Sequence, residues 1–253
     1  MKIIPLKYYD GGFMTQAFAF GGSRDKAQID PNVRYDSSLQ NFLIDDGSQV
    51  ILVDTGLPEN HKDTPKKEDA PLWMGDKVGT FTEVLLRAGY APESVSKVVI
   101  THKHPDHTGT LGLFDHAEIY ISEIEADKMH LTGSNVVRVH FTDGPFYNFP
   151  ESQRITEQLV MLRAEGHTLG NSIFILQEPG ANLYYMFHGD VTYCDAALKE
   201  NELSVVFEDK ARARETLDRV REFIRRHPTV YCSTHCPEGY LNLEQRSIMQ
   251  LDS

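Results

Sequence analysis

In the stretch Thr101-His102-Lys103-His104-Pro105-Asp106-His107-Thr108-Gly109, three imidazoles and a carboxylate fall within six residues, directly behind the apolar run Val98-Val99-Ile100. Groups so hard to bury need a shared reason for lying close together. A divalent metal is the usual one, because imidazole and carboxylate are among its common ligands. Strand alternation would turn His102 and His104 to the same side. Pro105 biases His104 toward an extended backbone and interrupts regular structure. The chain can then turn, so that Asp106 and His107 point elsewhere. Two nearby donor pairs with different targets are what a two-metal site requires, the remaining donors coming from further along the chain.

Those donors need rigid supports, and five apolar runs each lead to an acidic residue or a histidine. Gln49 to Val53 ends at Asp54, and Val98 to Ile100 leads to His102. Leu159 to Leu162 is followed by Glu165-Gly166-His167, Leu183 to Phe187 by His188-Gly189-Asp190, and Val230 to Thr234 by His235. Reactive groups gather on loops at one end of a sheet, where strands hold them in place. Isolated histidines are more often surface or core residues than ligands. That reading applies to His61, His116, His130, His140 and His227, and His188 reads as a supporting residue beside the site.

The remaining pattern alternates strands and helices. Residues 2–9, 39–46, 49–54, 96–100, 117–121, 155–163, 171–177, 182–187 and 230–234 read as strands. Asp46-Gly47 marks a tight turn between the second and third. Residues 79–89, 122–131 and 209–227 carry helical spacing, the last with Leu217, Val220, Phe223 and Ile224 on one face. Residues 10–37 read as a loop with several large apolar groups, 57–78 as a long polar loop that could act as a lid, and 132–153 as irregular and aromatic. Sheets with helices on their outer faces are the expected architecture.

The chain has 253 residues, 40% of them hydrophobic, enough to bury a large core, and residues 1–253 read as a single domain. A formal net charge of −12 offers no basic face for nucleic acid and no attraction to anionic membranes. No stretch approaches the roughly 20 apolar residues of a membrane span. The N-terminus reads as a strand and not as a signal peptide. Three cysteines, Cys194, Cys232 and Cys236, are too few and of odd number for a disulfide framework. A cytoplasmic protein, monomeric or homodimeric, is expected.

The ordered set Asp54, His102-x-His104-x-Asp106-His107, His167, Asp190 and His235 resembles the metallo-β-lactamase superfamily over most of the chain. The resemblance implies an α/β fold, an αββα sandwich of two mixed sheets with helices on both outer faces and a metal site at one edge. It also implies two divalent ions. One would be held by His102, His104 and His167, the other by Asp106, His107 and His235, with Asp190 bridging and Asp54 beneath, orienting the loop. Zinc is the default, while iron, manganese or cobalt suit the same ligands.

Within the superfamily the chain is most similar to the N-acyl homoserine lactone lactonases. Val53-Asp54-Thr55-Gly56-Leu57-Pro58-Glu59 resembles their early aspartate motif, and Leu86-Arg87-Ala88-Gly89-Tyr90 their approach to the metal loop. Tyr193, three residues after Asp190, matches a tyrosine that in those enzymes reaches the substrate carbonyl. The chain departs from them at Pro105, where they often carry Phe, at His167-Thr168-Leu169-Gly170-Asn171, and in the aromatic stretch 141–149. A lactonase reading assigns Tyr193 to the developing oxyanion, Asp106 to proton transfer and Asp190 to the bridge. It calls for a small lactone or other ester as substrate and for no serine or cysteine nucleophile. The competing readings are a thioesterase of the glyoxalase II kind, a β-lactamase, a phosphodiesterase or nuclease, and a non-catalytic metal-binding sensor.

Overall fold

The computed structural model describes residues 1–252. Twelve strands form two mixed sheets. The first sheet contains β1 (Lys2–Thr15), β2 (Arg34–Asp45), β3 (Val50–Val53), β4 (Leu72–Lys77), β5 (Lys97–Val99), β6 (Glu118–Ser122) and β7 (Val136–Val139), in the order β4-β1-β2-β3-β5-β6-β7. The second contains β8 (Ser152–Arg154), β9 (Leu159–Arg163), β10 (Ser172–Gln177), β11 (Tyr184–Phe187) and β12 (Thr229–Cys232), in the order β12-β11-β10-β9-β8. The helices are α1 (Gln16–Phe20), α2 (Phe81–Arg87), α3 (Pro105–Thr108), α4 (Glu123–Lys128), α5 (Asp195–Glu200), α6 (Lys210–Arg226) and α7 (Glu238–Gln245).

Side-chain alternation builds the layers. Phe42 and Ile44 of β2 turn into a shared interior with Leu159 and Met161 of β9 and Phe174 and Leu176 of β10, so this cluster lies between the sheets. Leu43 of β2 turns the other way, with Leu52 and Val98, against Phe81, Val84 and Leu85 of α2 and Ala126 of α4. Val160 and Leu162 of β9 face outward onto Leu217, Val220, Phe223 and Ile224 of α6. Successive residues of a strand thus serve opposite layers, and the result is helix, sheet, sheet, helix as expected. Burying each of those four α6 side chains contributes about 1.5–3 kcal/mol. Asp209 caps that helix by accepting from the Arg212 N–H at 3.0 Å.

Several boundaries differ from those expected. The loop at 10–37 shrinks: β1 runs through Gly11-Gly12 to Thr15, α1 follows, and β2 begins at Arg34. The long loop at 57–78 ends in β4, which pairs antiparallel with β1 (Phe13 opposite Trp73). Residues 132–153 include β7 and the first two residues of β8. Helices α5 and α7 carried no clear periodicity. The turn after β2 is four residues, not two: Asp46 N–H donates to the Gln49 carbonyl at 3.3 Å, and Asp46 Oδ1 accepts from Ser48 N and Gln49 N. No helix among the described residues is long and apolar enough to cross a membrane.

Strand register positions the candidate residues. In the parallel pair β3/β5, Val53 lies opposite Val99, so Asp54 and the loop after Ile100 emerge side by side. In the parallel pair β11/β12, Phe187 lies opposite Cys232. Asp190 and His235 each come three residues beyond those partners. The sheets are joined at this edge by Ser172 N–H donating to the Thr101 carbonyl at 2.9 Å, and by Gln40 N–H donating to the Thr234 carbonyl at 3.1 Å.

Candidate metal centre

His104 is extended (φ −64°, ψ 150°), as its place before proline dictates, and Pro105 begins the one-turn helix α3. The four donors of this loop therefore come from a bend and a helical turn, not from strand alternation. The Gly109 that follows must be a glycine: a Cβ there would lie 2.2 Å from Pro58 N.

Two groups of donors result. His102 Nε2, His104 Nδ1 and His167 Nε2 form a triangle with edges of 3.0, 2.9 and 3.1 Å. Asp190 Oδ2 lies 3.5 Å from His167 Nε2 and 3.9 Å from His102 Nε2. In the second group His107 Nε2 and His235 Nε2 are each 3.1 Å from Asp190 Oδ1. Asp106 Oδ2 completes it at 3.3 Å from His235 Nε2 and 3.7 Å from His107 Nε2. Asp190 belongs to both groups.

These residues fit metal ions. A tetrahedral zinc with Zn–N near 2.0–2.1 Å holds its ligand nitrogens about 3.3–3.4 Å apart, a few tenths of an ångström more than the edges of the triangle. His107 Nε2 and Asp190 Oδ1 are buried, and neither makes a directed hydrogen bond. Buried polar atoms are normally satisfied, so such a pair calls for a partner of another kind.

The outward-facing nitrogens fix the inward-facing ones. Asp54 Oδ2 accepts from Thr101 Oγ1 at 2.8 Å and lies 2.7 Å from His107 Nδ1, while its Oδ1 accepts from Thr101 N–H at 2.8 Å. With its proton committed to Asp54, Thr101 Oγ1 accepts from His102 Nδ1 at 3.0 Å. His167 Nδ1 donates to the Val206 carbonyl at 3.1 Å. The rings of His102, His107 and His167 then carry their proton on Nδ1 and present an Nε2 lone pair to the centre, while His104 presents Nδ1. Asp54 achieves this with φ of 64°, a left-handed conformation that Asp and Asn tolerate better than most residues.

Electrostatics divides the two groups. Burial pushes His102 well below its usual value, lowers His104 and takes His167 down to about 4. All three are neutral donors at pH 7. Burial also works against protonation of His107 and His235, but the nearby carboxylates, Asp190 foremost, outweigh it and raise both. Asp190, despite burial, is held well below the carboxylate range by His235 and His107.

Tyr193 lies directly against this centre. Its ring stacks on His235 and meets His167 and Phe18 at their edges. Burial, then Asp190 and Asp106, raise its phenol well above the usual value, so it remains a donor. His188 joins neither donor group; it is buried and stacks on Tyr231 at 3.9 Å between centroids. The isolated histidines 61, 116, 130, 140 and 227 also lie outside both groups. The three cysteines are free and buried. Sequence reasoning missed two supports. Thr101 lay inside the quoted stretch without a role, although a hydroxyl before a metal-loop histidine is a usable signal. The Val206 carbonyl has no side-chain signature at all.

Residues 40–237 match the model of the metallo-beta-lactamase superfamily. An N-acyl homoserine lactonase of a Bacillus species is 21% identical over 213 residues, covering 82% of this chain and 84% of that protein. Metallo-beta-lactamase domain-containing protein 1 of Xenopus laevis is 33% identical over 138 residues, covering 54% of this chain and 47% of that protein. Among solved structures, an N-acyl homoserine lactone hydrolase with the product N-hexanoyl-L-homoserine bound at its catalytic metal centre matches with a TM-score of 0.71, covering 99% of this chain and 96% of that one. At 16% identity that likeness speaks to the fold alone.

Proposed function

The chain belongs to the metallo-beta-lactamase superfamily of metal-dependent hydrolases, and on that footing we propose that it opens lactone rings, N-acyl homoserine lactones in particular, and so acts as a quorum-quenching enzyme. The proposal takes residues 1–253 as one catalytic domain working in the cytoplasm. The observation that carries it is the sharing of Asp190 between two donor groups with the Tyr193 phenol beside them. The lactone is further supported by the activity named for the Bacillus relative.

In this reading His102, His104 and His167 hold one ion, and Asp106, His107 and His235 the other. Asp190, which belongs to both groups, would serve both ions, and zinc is the expected metal. Such a pair, when bound, would supply a nucleophile from water near neutral pH and polarise the ester carbonyl. The chain's own residues do the rest. Tyr193 donates its O–H to the carbonyl oxygen as negative charge develops there, the role of a preorganised oxyanion donor. Asp106, whose side chain is partly open to solvent, takes a proton from the attacking water and returns it to the alkoxide oxygen as the acyl carbon–oxygen bond breaks. The products are an alcohol and a carboxylic acid, which ionises to a carboxylate and releases the second proton of the water to solvent. Asp54 and Thr101 hold the imidazoles of His102 and His107 in register throughout.

A second reading, another ester or thioester hydrolysis, is favoured by Pro105, where the lactonases often carry Phe. Zinc-loaded protein assayed on N-acyl homoserine lactones, simple lactones, a thioester, a cephalosporin and a phosphodiester separates the two. Fastest turnover of the acyl homoserine lactones supports the proposal; turnover of the thioester or phosphodiester alone rejects it.

A further inference from the structure

Ser122-Glu123-Ile124-Glu125 opens α4 and has the spacing of a capping box, in which the serine accepts from the N–H three residues on and the glutamate reaches back to the serine N–H. Thr80 and Glu83 make both bonds at the start of α2. At α4 only half of the box forms: Ser122 Oγ accepts from Glu125 N–H at 3.3 Å. The Glu125 carboxylate is turned away and is fully buried.

Its oxygens are spent on two other segments. Glu125 Oε1 accepts from Thr168 Oγ1 at 2.6 Å and from Gly170 N–H at 2.9 Å. Glu125 Oε2 accepts from Lys103 N–H at 3.1 Å, with Lys103 Nζ at 3.9 Å. Lys103 lies between His102 and His104; Thr168 follows His167. Ser122 Oγ also donates to the Gly170 carbonyl at 2.7 Å. The approach is close enough to require glycine at 170, where a Cβ would lie 2.7 Å from Glu125 Oε1 and 2.6 Å from Ser122 Oγ.

We infer that Glu125 is a positioning residue for the donor group His102, His104 and His167, tying its two loops together as Asp54 orients the other group through His107. The inference rests on the metal reading proposed above. Outer partners that orient metal ligands affect affinity about 10–100-fold when lost. A glutamine at 125 cannot serve Thr168, Gly170 and Lys103 at once, because one end of its amide is a donor facing a donor.

The test is zinc affinity, measured by competition with a chromophoric chelator, in two backgrounds. In His235→Ala the three-imidazole group is intact, and Glu125→Gln is expected to weaken zinc about 10–100-fold. In His104→Ala, where the other group is intact, the same substitution is expected to change affinity less than about twofold, His107 having its own support in Asp54. Thr168→Val removes a single bond and leaves the carboxylate in place, so it reports even if Glu125→Gln fails to fold. It is expected to weaken zinc several-fold, in the His235→Ala background only. Equal weakening in both backgrounds, or none in either, overturns the role of Glu125. Parent protein that binds no zinc would instead overturn the metal reading on which it stands.

Discussion

The rings of Tyr193 and His235 lie face to face, 16° from parallel with centroids 4.7 Å apart. One face of the imidazole is thereby covered by an aromatic ring whose phenol is kept protonated by burial and then by the charges of Asp190 and Asp106. The tyrosine has two separable parts, a ring that packs on a proposed ligand and a hydroxyl that donates. Tyr193→Phe keeps the first and removes the second. It is expected to lower kcat on the lactone about 10- to 100-fold, somewhat less than the loss of a dedicated oxyanion donor, because the metals share that charge. Zinc content should remain at the wild-type value. Steady-state kinetics beside metal analysis checks both; a loss of zinc in Tyr193→Phe would mean that the hydroxyl serves structure and not the substrate.

Asp54 receives three hydrogen bonds and holds His107 through its Nδ1. Asp54→Asn suits the left-handed backbone but places an amide donor among donors. Zinc bound by Asp106, His107 and His235 is expected to weaken about 10–100-fold, with the fold retained. Chelator competition and far-UV circular dichroism test the two halves of that statement. Asp54→Ala should add a loss of stability of about 1–3 kcal/mol, since Thr101 N–H is then buried without its acceptor.

Much of this site was legible in the chain, and the reasons are specific. His102, His104, Asp106 and His107 announce themselves by type and density. Asp54, His167, Asp190 and His235 follow apolar runs that could only be buried strands. Their convergence was not legible from spacing, because it depends on strand register. Asp190 meets His235 only because both lie three residues past a paired position in β11 and β12. Strand β4 was hidden for a related reason. Leu72-Trp73-Met74-Gly75-Asp76-Lys77 has no apolar alternation and takes its conformation from pairing with β1, whose Asp10 carbonyl approaches so closely that a Cβ on Gly75 would collide with it. Glu125 was obscured by a pattern that pointed to a local cap.

Removing the metals should cost stability as well as activity. An ion that binds only the folded chain stabilises it by RT ln(1 + [L]/Kd), about 4 kcal/mol per ion at a thousandfold excess over Kd. At about 2–4 °C per kcal/mol for a chain of this size, chelated protein is expected to melt about 10 °C or more lower, and added zinc should restore it in a concentration-dependent way. Differential scanning calorimetry across a zinc series checks this. A melting temperature indifferent to zinc would contradict the paired-ion centre.

A second carboxylate gives a pH signature distinct from the centre. Asp195, beside Asn242 and Cys236, is pushed up to about 6 by burial. An unfolded aspartate titrates near 3.9. Between those values the folded chain binds the extra proton, so stability falls as pH rises through the window and is flat above it. Asp195→Asn removes this dependence while keeping an acceptor for Asn242. In metal-free protein, the stability advantage of the variant is expected to shrink by about 1–1.5 kcal/mol between pH 7 and pH 5. Denaturant melts at the two values measure it; parallel curves for the two proteins would rule it out.

The proposed ligands are spread from His102 to His235, and the last arrives on the strand that completes the second sheet. A ribosome adding about 5–20 residues per second needs on the order of ten seconds to travel from the first to the last. During that interval the emerging chain exposes a histidine-rich loop whose neighbouring donors do not yet exist. On the proposed ligand set, ions captured then would be held by an incomplete set and would exchange freely. Only closure of β12 onto β11 creates the full enclosure, so the choice of metal falls to the folded molecule and to the ions available after synthesis.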